Sequence, residues 1–82
     1  MRRCIVWAPS AKREPYKIEP ERVRVRVNKR TCSLATEPRP QRIKKLGGNR
    51  FRIRQGQYRI IYELSKSQVG ILKIEHRREV YR

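Results

Sequence analysis

Arginine side chains recur at alternate positions in the second half of this sequence. Arg52 and Arg54 are separated by one residue, Arg59 follows after a short gap, and Arg77 lies near the end. A guanidinium group carries a permanent charge, and its planar fork of donors binds phosphate through two parallel hydrogen bonds. Such residues on neighbouring strands can form a concave surface that follows the backbone of RNA or DNA. The alternative is a solvated basic face that binds no defined ligand.

The charge balance also favours an anionic partner. The chain has 82 residues, with 23 Lys and Arg against 7 Asp and Glu, a formal net charge of +16 and an isoelectric point near 11.3. We therefore expect one small domain, residues 1–82, that binds nucleic acid in preference to a membrane surface. With 37% hydrophobic residues, the chain can bury a modest core, which argues against a self-contained enzyme built around a large cofactor.

Secretion, membrane insertion and metal binding find no support in the sequence. The apolar run that begins at Cys4 stops before Pro9, whereas a signal peptide needs roughly 7–15 apolar residues and a spanning helix roughly 18. Cys4, Cys32 and His76 do not have the spacing of zinc ligands. We expect a cytoplasmic protein with reduced thiols and without a metal or other cofactor.

The first half of the chain predicts one strand followed by two helices. Residues 4–7 are a β-branched and aromatic run typical of a short buried strand. A first helix over residues 11–18 is short or kinked, because Pro15 inside it costs about 3 kcal/mol. A second helix follows Pro20, and its apolar side recurs at helical spacing: Val23, Val27, Thr31 and Leu34. Residues 23–27 also alternate as a strand would, but the length of the segment favours the helix.

The second half predicts three strands. After a basic turn over residues 44–49, Phe51 and Ile53 alternate with arginines, and Gly56 marks a tight turn into a β-rich run over residues 58–64. A further strand covers residues 69–74. The order of elements predicts an α+β fold in which two N-terminal helices pack on one face of a small antiparallel sheet. Because side chains alternate across a strand, the arginines then lie on the open face.

Three stretches of the sequence resemble the RelE/ParE toxin superfamily. KKLGGNRFRIRQGQYRIIYEL, from Lys44, and VGILKIEHRREVYR, from Val69, are similar to the superfamily's lysine-leucine-glycine turn, its YRIRxGxYRIIYE-like hairpin and its HRxxVY-like ending. CIVWAPSAKRE, from Cys4, is similar to its first strand and the start of its first helix. The resemblance spans nearly the whole chain and is most specific from Lys44 onward. It implies the compact α+β toxin fold and supports the second helix.

The resemblance also implies a function. RelE-like members cut messenger RNA in the A site of the ribosome, whereas ParE-like members poison DNA gyrase. RelE-like enzymes use basic residues on the central strands, an arginine at the end of the last strand and a C-terminal tyrosine. The matching positions here are Arg52, Arg54, Arg59, Arg77 and Tyr81.

These matches favour a ribosome-dependent endoribonuclease toxin of a type II toxin-antitoxin system. Its partners would be an acidic, RelB-like antitoxin, the ribosome and messenger RNA. A ParE-like gyrase inhibitor and a non-catalytic RNA-binding module are the alternatives.

Cleavage by the RNA 2′-OH would divide the work among these residues. Arg59 and Arg77 are the candidates for stabilising the charge of the pentacovalent phosphorane. Arg52 or Arg54 would orient the phosphate, because a guanidinium group is a poor base. Proton removal would fall to Tyr81, whose ionised form several arginines would favour, or to His76, since imidazole is a common general base.

Other residues are weaker candidates or departures from the superfamily pattern. Lys44, Lys45 and His76 are candidate RNA-binding residues. Pro15 stands where the superfamily has a helix-forming residue, which puts the length of the first helix in question. Glu75 stands where a small residue is common, and its carboxylate could pair with Arg77 and weaken the local positive field.

Overall fold

The computed structural model describes residues 2–41 and 43–76 of the chain. These residues form, in order, β1 (Cys4–Trp7), a short 3₁₀ helix (Glu14–Lys17), α1 (Glu21–Ser33), β2 (Lys44–Gly47), β3 (Arg50–Gln55), β4 (Tyr58–Leu64) and β5 (Gln68–His76). The strands make one five-stranded sheet in the order β1-β5-β4-β3-β2. Pairing is antiparallel from β2 to β5, and β1 runs parallel to β5. The predicted α+β class is confirmed, with a mostly antiparallel sheet.

The prediction of two N-terminal helices is wrong, because the described residues contain a single α-helix. The first predicted helix is replaced by turns and by the 3₁₀ helix Glu14–Lys17. Pro15 lies in the first turn of this element, where its missing N–H is tolerated, and it is buried. The chain leaves the helical conformation at Ile18, whose ψ is 121°. The proline therefore lies at the start of a single helical turn instead of kinking a longer helix.

The second predicted helix is confirmed as α1, and the strand interpretation of residues 23–27 is wrong. Val27 and Thr31 are fully buried on its core side, and Leu34 is buried at its C-cap. The buried Thr31 hydroxyl donates to the Val27 carbonyl at 2.9 Å, so this polar atom is satisfied inside the core. Val25 is exposed, as expected for a residue on the opposite side of the helix.

The predicted basic turn at residues 44–49 is in part a strand. Residues Lys44–Gly47 form β2, which pairs with β3. Gly47 and Gly48 have φ values of 125° and 54°, conformations that side chains with a Cβ rarely adopt. The chain reverses at Gly48 and Asn49, between the paired residues Gly47 and Arg50, so most of the predicted turn belongs to a strand.

The hydrophobic core lies between the sheet and α1. Ile53, Ile60, Tyr62 and Ile71 from the sheet are buried together with Val27 of the helix. The Tyr62 hydroxyl donates to the Pro38 carbonyl at 2.7 Å, which fixes the chain after α1 against the sheet. The helical layer covers one face of the sheet, and the opposite face carries the polar side chains.

Candidate nucleic-acid interface

The arginines of β3 lie on the open face of the sheet. Phe51 and Ile53 are 5% and 1% exposed and face the core, so the residues between them face the other way. Arg54 is exposed and Arg52 is partly exposed. The predicted separation of arginines from core residues in this strand is confirmed.

Strand β4 brings a further arginine beside them. The register places Arg59 directly opposite Arg54, and Ile61 directly opposite Arg52. Residues directly opposite each other in an antiparallel pair share a face and have Cβ atoms about 4.5–5.5 Å apart. Arg54 Nε donates to the Gly56 carbonyl of the hairpin turn at 3.3 Å, which holds this guanidinium near the end of the sheet.

The hairpin turn has the geometry that its sequence predicts. Gln55 pairs with Tyr58, leaving Gly56 and Gln57 as a two-residue turn. Gly56 has a φ of 60°, as the primed turns of tight hairpins require at their first central position. This short connection sets the register that places Arg54 opposite Arg59.

The two predicted lysines lie on different faces of the sheet. Lys44 is opposite Arg52 and therefore joins the arginines, whereas Lys45 is opposite Phe51 and belongs to the face that carries the helix. Both residues are exposed. The structure thus brings one of these candidate RNA-binding residues to the arginines and separates the other from them.

Arg50 is a cation of this face that the sequence analysis missed. Arg50 alternates in step with Arg52 and Arg54, so it shares their side of β3. The alternation itself was the available signal, but position 50 follows the glycine turn and was not assigned to a strand. We call the cations that β2, β3 and β4 place on this side of the sheet the arginine face: Lys44, Arg50, Arg52, Arg54 and Arg59.

The carboxylates of Glu63 and Glu75 reduce the positive charge of the arginine face. Glu63 pairs with Arg50 at 3.3 Å, an exposed ion pair of the kind that contributes about 0–1 kcal/mol. Glu75 is directly opposite Arg59 across β4 and β5. The predicted proximity of Glu75 to the candidate site is therefore seen, although the arginine opposite it is Arg59. The cations remain in excess on this face.

His76 lies on the other side of the sheet. It pairs with Tyr58, and the two rings meet edge to face with centroids 4.8 Å apart. Tyr58 packs against the hydrophobic core, so His76 belongs to the face that carries the helix. The structure does not bring His76 together with Arg54 and Arg59. The predicted catalytic residues Arg77 and Tyr81 lie outside the described residues.

The described part of the chain offers no alternative catalytic centre based on metal ligands. Within residues 2–41 and 43–76, there is no group of three or more His, Cys, Asp or Glu side chains that could hold a metal ion. Cys4 and Cys32 are free and exposed. None of the helices in these ranges is long and apolar enough to cross a membrane.

Comparison with solved structures identifies the fold. The toxin-antitoxin complex RelBE2 from Mycobacterium tuberculosis contains a chain that is 26% identical, with a TM-score of 0.77 over 94% of this chain and 100% of that one. The RelE-RelB complex from the archaeon Pyrococcus horikoshii contains one that is 24% identical, with a TM-score of 0.82 over 94% and 97%. A mutant of the E. coli toxin RelE in the free state is 22% identical, with a TM-score of 0.79 over 99% and 92%. No curated protein matches the sequence significantly.

The fold and the arginine face define a small α+β protein of the RelE-like class. Residues 5–81 match the family of ParE toxins of type II toxin-antitoxin systems. The chain belongs to this family, within the RelE/ParE superfamily, and is a toxin of a type II toxin-antitoxin system. The resemblance drawn from the sequence is confirmed at this level.

Proposed function

We propose that this toxin is a ribosome-dependent endoribonuclease that cleaves translated messenger RNA in the ribosomal A site. The observation that carries the proposal is the direct opposition of Arg54 and Arg59 on the open face of the sheet. Two guanidinium groups held side by side can contact the same phosphodiester from adjacent strands. Arg52 extends this surface along β3, where it can hold the neighbouring phosphate.

The reaction would proceed by attack of the RNA 2′-oxygen on the adjacent phosphorus. The bond from phosphorus to the 5′-oxygen breaks, leaving a 2′,3′-cyclic phosphate and a 5′-hydroxyl group. A general base takes the proton of the 2′-OH, and a proton is delivered to the departing 5′-oxygen. Arg59, with Arg77, would stabilise the negative charge of the phosphorane, while Arg54 or Arg52 orients the phosphate.

The general base is assigned to Tyr81 in this proposal. His76 was the alternative, but it packs against Tyr58 on the opposite side of the sheet from Arg54 and Arg59. A base must come within hydrogen-bond reach of the proton that it removes, directly or through one water. The position of His76 therefore argues against proton transfer to this residue and leaves Tyr81 as the candidate from the superfamily pattern.

The proposed partners follow from charge and from the related complexes. The solved RelB-RelE and RelBE2 structures are toxin-antitoxin complexes. A net charge of +16 favours an acidic antitoxin that covers the arginine face and blocks access of RNA. We assign the whole chain, residues 1–82, to one toxin domain that acts in the cytoplasm on translating ribosomes. In this proposal, ribosomal RNA positions the substrate for the toxin.

Inhibition of DNA gyrase is the second candidate function. The observation that favours it is the match of residues 5–81 to the ParE toxin family. A gyrase inhibitor acts by binding, so it does not require a base such as Tyr81 or a phosphorane-stabilising pair. The two functions therefore differ in the residues that they need.

Primer extension on a defined messenger RNA tests the proposal. The purified toxin is incubated with this RNA in the presence and absence of translating ribosomes, and a parallel tube measures DNA supercoiling by gyrase. We expect cuts at codon positions when ribosomes translate, and loss of these cuts in Tyr81→Phe and Arg59→Gln. Arg22→Gln, which removes one exposed charge from α1, is the matched control and should cut normally.

The other outcomes separate the alternatives. Cuts on naked RNA would indicate a ribonuclease that does not need the ribosome. Inhibition of supercoiling without cuts would overturn the proposal in favour of gyrase. Absence of both effects would indicate an RNA-binding module without catalysis.

A further inference from the structure

A polar groove lies at the edge of the sheet, outside the arginine face. β1 pairs with β5 only along Gln68–Ile71, and beyond this point the edge of β5 is bordered by the 3₁₀ helix. The Glu14 carboxylate of that helix accepts a hydrogen bond from the Ile74 N–H at 2.8 Å. Between the two elements is a cavity of about 710 Å³. The hydrogen bond fixes one wall of the groove against the other.

The groove is lined by cationic side chains from separate elements. Arg13 caps the start of the 3₁₀ helix, Lys17 is its last residue and Lys73 projects from β5; all three are exposed. Ser10 contributes a hydroxyl group to the same lining. The carboxylate of Glu14 is engaged with the backbone of β5, so the side chains available to a ligand are mainly positive. An anion entering this groove would meet donors on both walls.

Lys73 connects the groove with the side of the sheet that carries the arginine face. Lys73 is opposite Ile61, which is opposite Arg52, and Arg52 is opposite Lys44. These residues form one row across four strands on the open side of the sheet. Lys73 also lines the groove, so it links the open side of the sheet to the groove at the edge of β5, with the apolar Ile61 between it and Arg52.

We propose that this groove binds backbone phosphates of an RNA strand that continues beyond the arginine face. The inference rests on the proposed function, because it takes RNA to be the ligand of the arginine face. Phosphate fits the lining better than an acidic peptide does, since the groove presents charged and hydroxyl groups along its rim. Ile18 and Ile74 of the lining are buried in the core, so these two residues offer little surface to a peptide's anchoring side chain.

Salt-dependent binding of RNA tests the groove directly. The probe is a fluorescein-labelled single-stranded RNA of mixed sequence, and anisotropy is measured at several salt concentrations without ribosomes. In the double variant Arg13→Gln, Lys17→Gln we expect affinity to fall about fivefold to tenfold and the slope of log K against log[salt] to shrink by about 1.4, from about 0.7 per lost contact. Lys73→Gln alone should shrink the slope by about 0.7.

The matched control removes the same charge from another surface. Arg22 and Lys29 are exposed on α1, and the double variant Arg22→Gln, Lys29→Gln should leave the slope nearly unchanged. Equal losses in the two double variants would overturn the proposal, because net charge alone would then explain them. Urea unfolding of each variant measures whether the fold is kept, and the single variants Arg13→Gln and Lys17→Gln provide an independent test if the double variant is unstable.

Failure of the groove and failure of the proposed function give different results. If the toxin cuts RNA on ribosomes but its groove variants bind RNA normally, the proposal that the groove binds phosphates is wrong and the proposed endoribonuclease function stands. If the groove variants bind RNA more weakly but the toxin does not cut, phosphate binding in the groove is supported and the proposed endoribonuclease function is wrong. Binding of labelled poly-glutamate is measured in parallel. If the groove variants lose affinity for poly-glutamate and keep it for RNA, the groove serves an acidic protein partner instead.

Discussion

Arg54 and Arg59 stand directly opposite each other across β3 and β4, on the open face of the sheet. Like charges in this arrangement destabilise a strand pair by a few tenths of a kcal/mol, up to about 1 kcal/mol. The core residues Ile53 and Ile60, which are also paired and fully or almost fully buried, hold the two strands in this register. Glu75, directly opposite Arg59 on β5, offsets part of this repulsion. A phosphate group between the guanidiniums would offset more of it, so the pair is suited to an anionic ligand.

Replacement of Arg59 by Gln should separate catalysis from stability. We expect the rate of ribosome-dependent cleavage to fall about 10²–10³-fold, because one fixed donor to the phosphorane is lost. The free energy of unfolding should change by less than about 1 kcal/mol, since the residue is on the surface of the sheet. Single-turnover cleavage and urea unfolding measure the two quantities. A loss of cleavage that only parallels a loss of folded protein would count against a catalytic role.

The two neighbouring lysines of β2 should differ in their contribution to RNA binding. Lys44 shares a side with Arg52, whereas Lys45 shares a side with Phe51. Lys44→Gln should shrink the salt slope of single-stranded RNA binding by about 0.7, as expected for one lost phosphate contact. Lys45→Gln removes the same charge from the other side and should leave the slope nearly unchanged. Identical salt slopes for the two variants would show that RNA binding does not depend on which side of the sheet the lysine occupies.

His76 should contribute to folding more than to catalysis. Its ring meets Tyr58 edge to face at 4.8 Å, and such contacts contribute about 0.5–1.5 kcal/mol beyond burial. His76→Asn should therefore lower the free energy of unfolding by about this amount. The rate of cleavage per folded molecule and its pH profile should stay close to wild type. A shifted pH profile in this variant would return the role of general base to His76.

The outcome for these residues shows what alternation in a sequence can and cannot predict. The period of two in β3 correctly separated Arg52 and Arg54 from the core, because a buried strand face requires apolar residues at every second position. The alternation in β3 could not predict on which side of the sheet Lys45 and His76 lie, since this depends on how their own strands pair with β3 and β4. The register that pairs Lys45 with Phe51 is set by the glycine turn, and residues 44–47 were not recognised as a strand.

The helices of the fold were also predicted only in part from the sequence. The spacing of Val27, Thr31 and Leu34 correctly predicted α1, because these side chains are buried on one side of it. The sequence also showed that Pro15 disturbs the preceding helix, but not how far. The structure replaces that helix by four residues of 3₁₀ helix, Glu14–Lys17. The hydrogen bond from Ile74 to Glu14, across 60 positions of sequence, has no local signal that a pattern could detect.

The contact between Glu14 and the edge of β5 should stabilise the fold measurably. The Ile74 N–H donates to Glu14 Oε2 at 2.8 Å in a partly buried position. Glu14→Ala leaves this N–H without its partner and should cost about 1–3 kcal/mol of unfolding free energy. Glu21→Ala is the control, because it removes a carboxylate whose ion pair with Arg24 is long, at 3.6 Å, and exposed. If Glu14→Ala and Glu21→Ala lower the free energy of unfolding equally, the hydrogen bond from Ile74 to Glu14 contributes nothing beyond the charge of the carboxylate.

Stability above pH 10 should depend on Tyr62. Burial raises the pKa of this phenol from 10.0 to about 12, with Arg30 and Arg39 partly opposing the shift. The folded-state pKa is the higher one, so the stabilisation is complete below pH 10 and is lost as the pH rises toward 12. By pH 11 the loss is about 1.4 kcal/mol for this group. Tyr62→Phe removes the titration and also the 2.7 Å hydrogen bond to the Pro38 carbonyl.

The two effects of Tyr62→Phe should cancel at high pH. At pH 8 the variant should be less stable than wild type by about 1 kcal/mol, the contribution of a typical hydrogen bond. Between pH 10 and pH 11 the wild type loses stability through Tyr62 while the variant does not, so the gap between them should close. Urea unfolding of both proteins at pH 8, 10 and 11 measures this gap, and the other titrating groups cancel because they are common to both proteins. A gap that stays constant from pH 8 to pH 11 would show that Tyr62 has the same pKa in the folded and unfolded states.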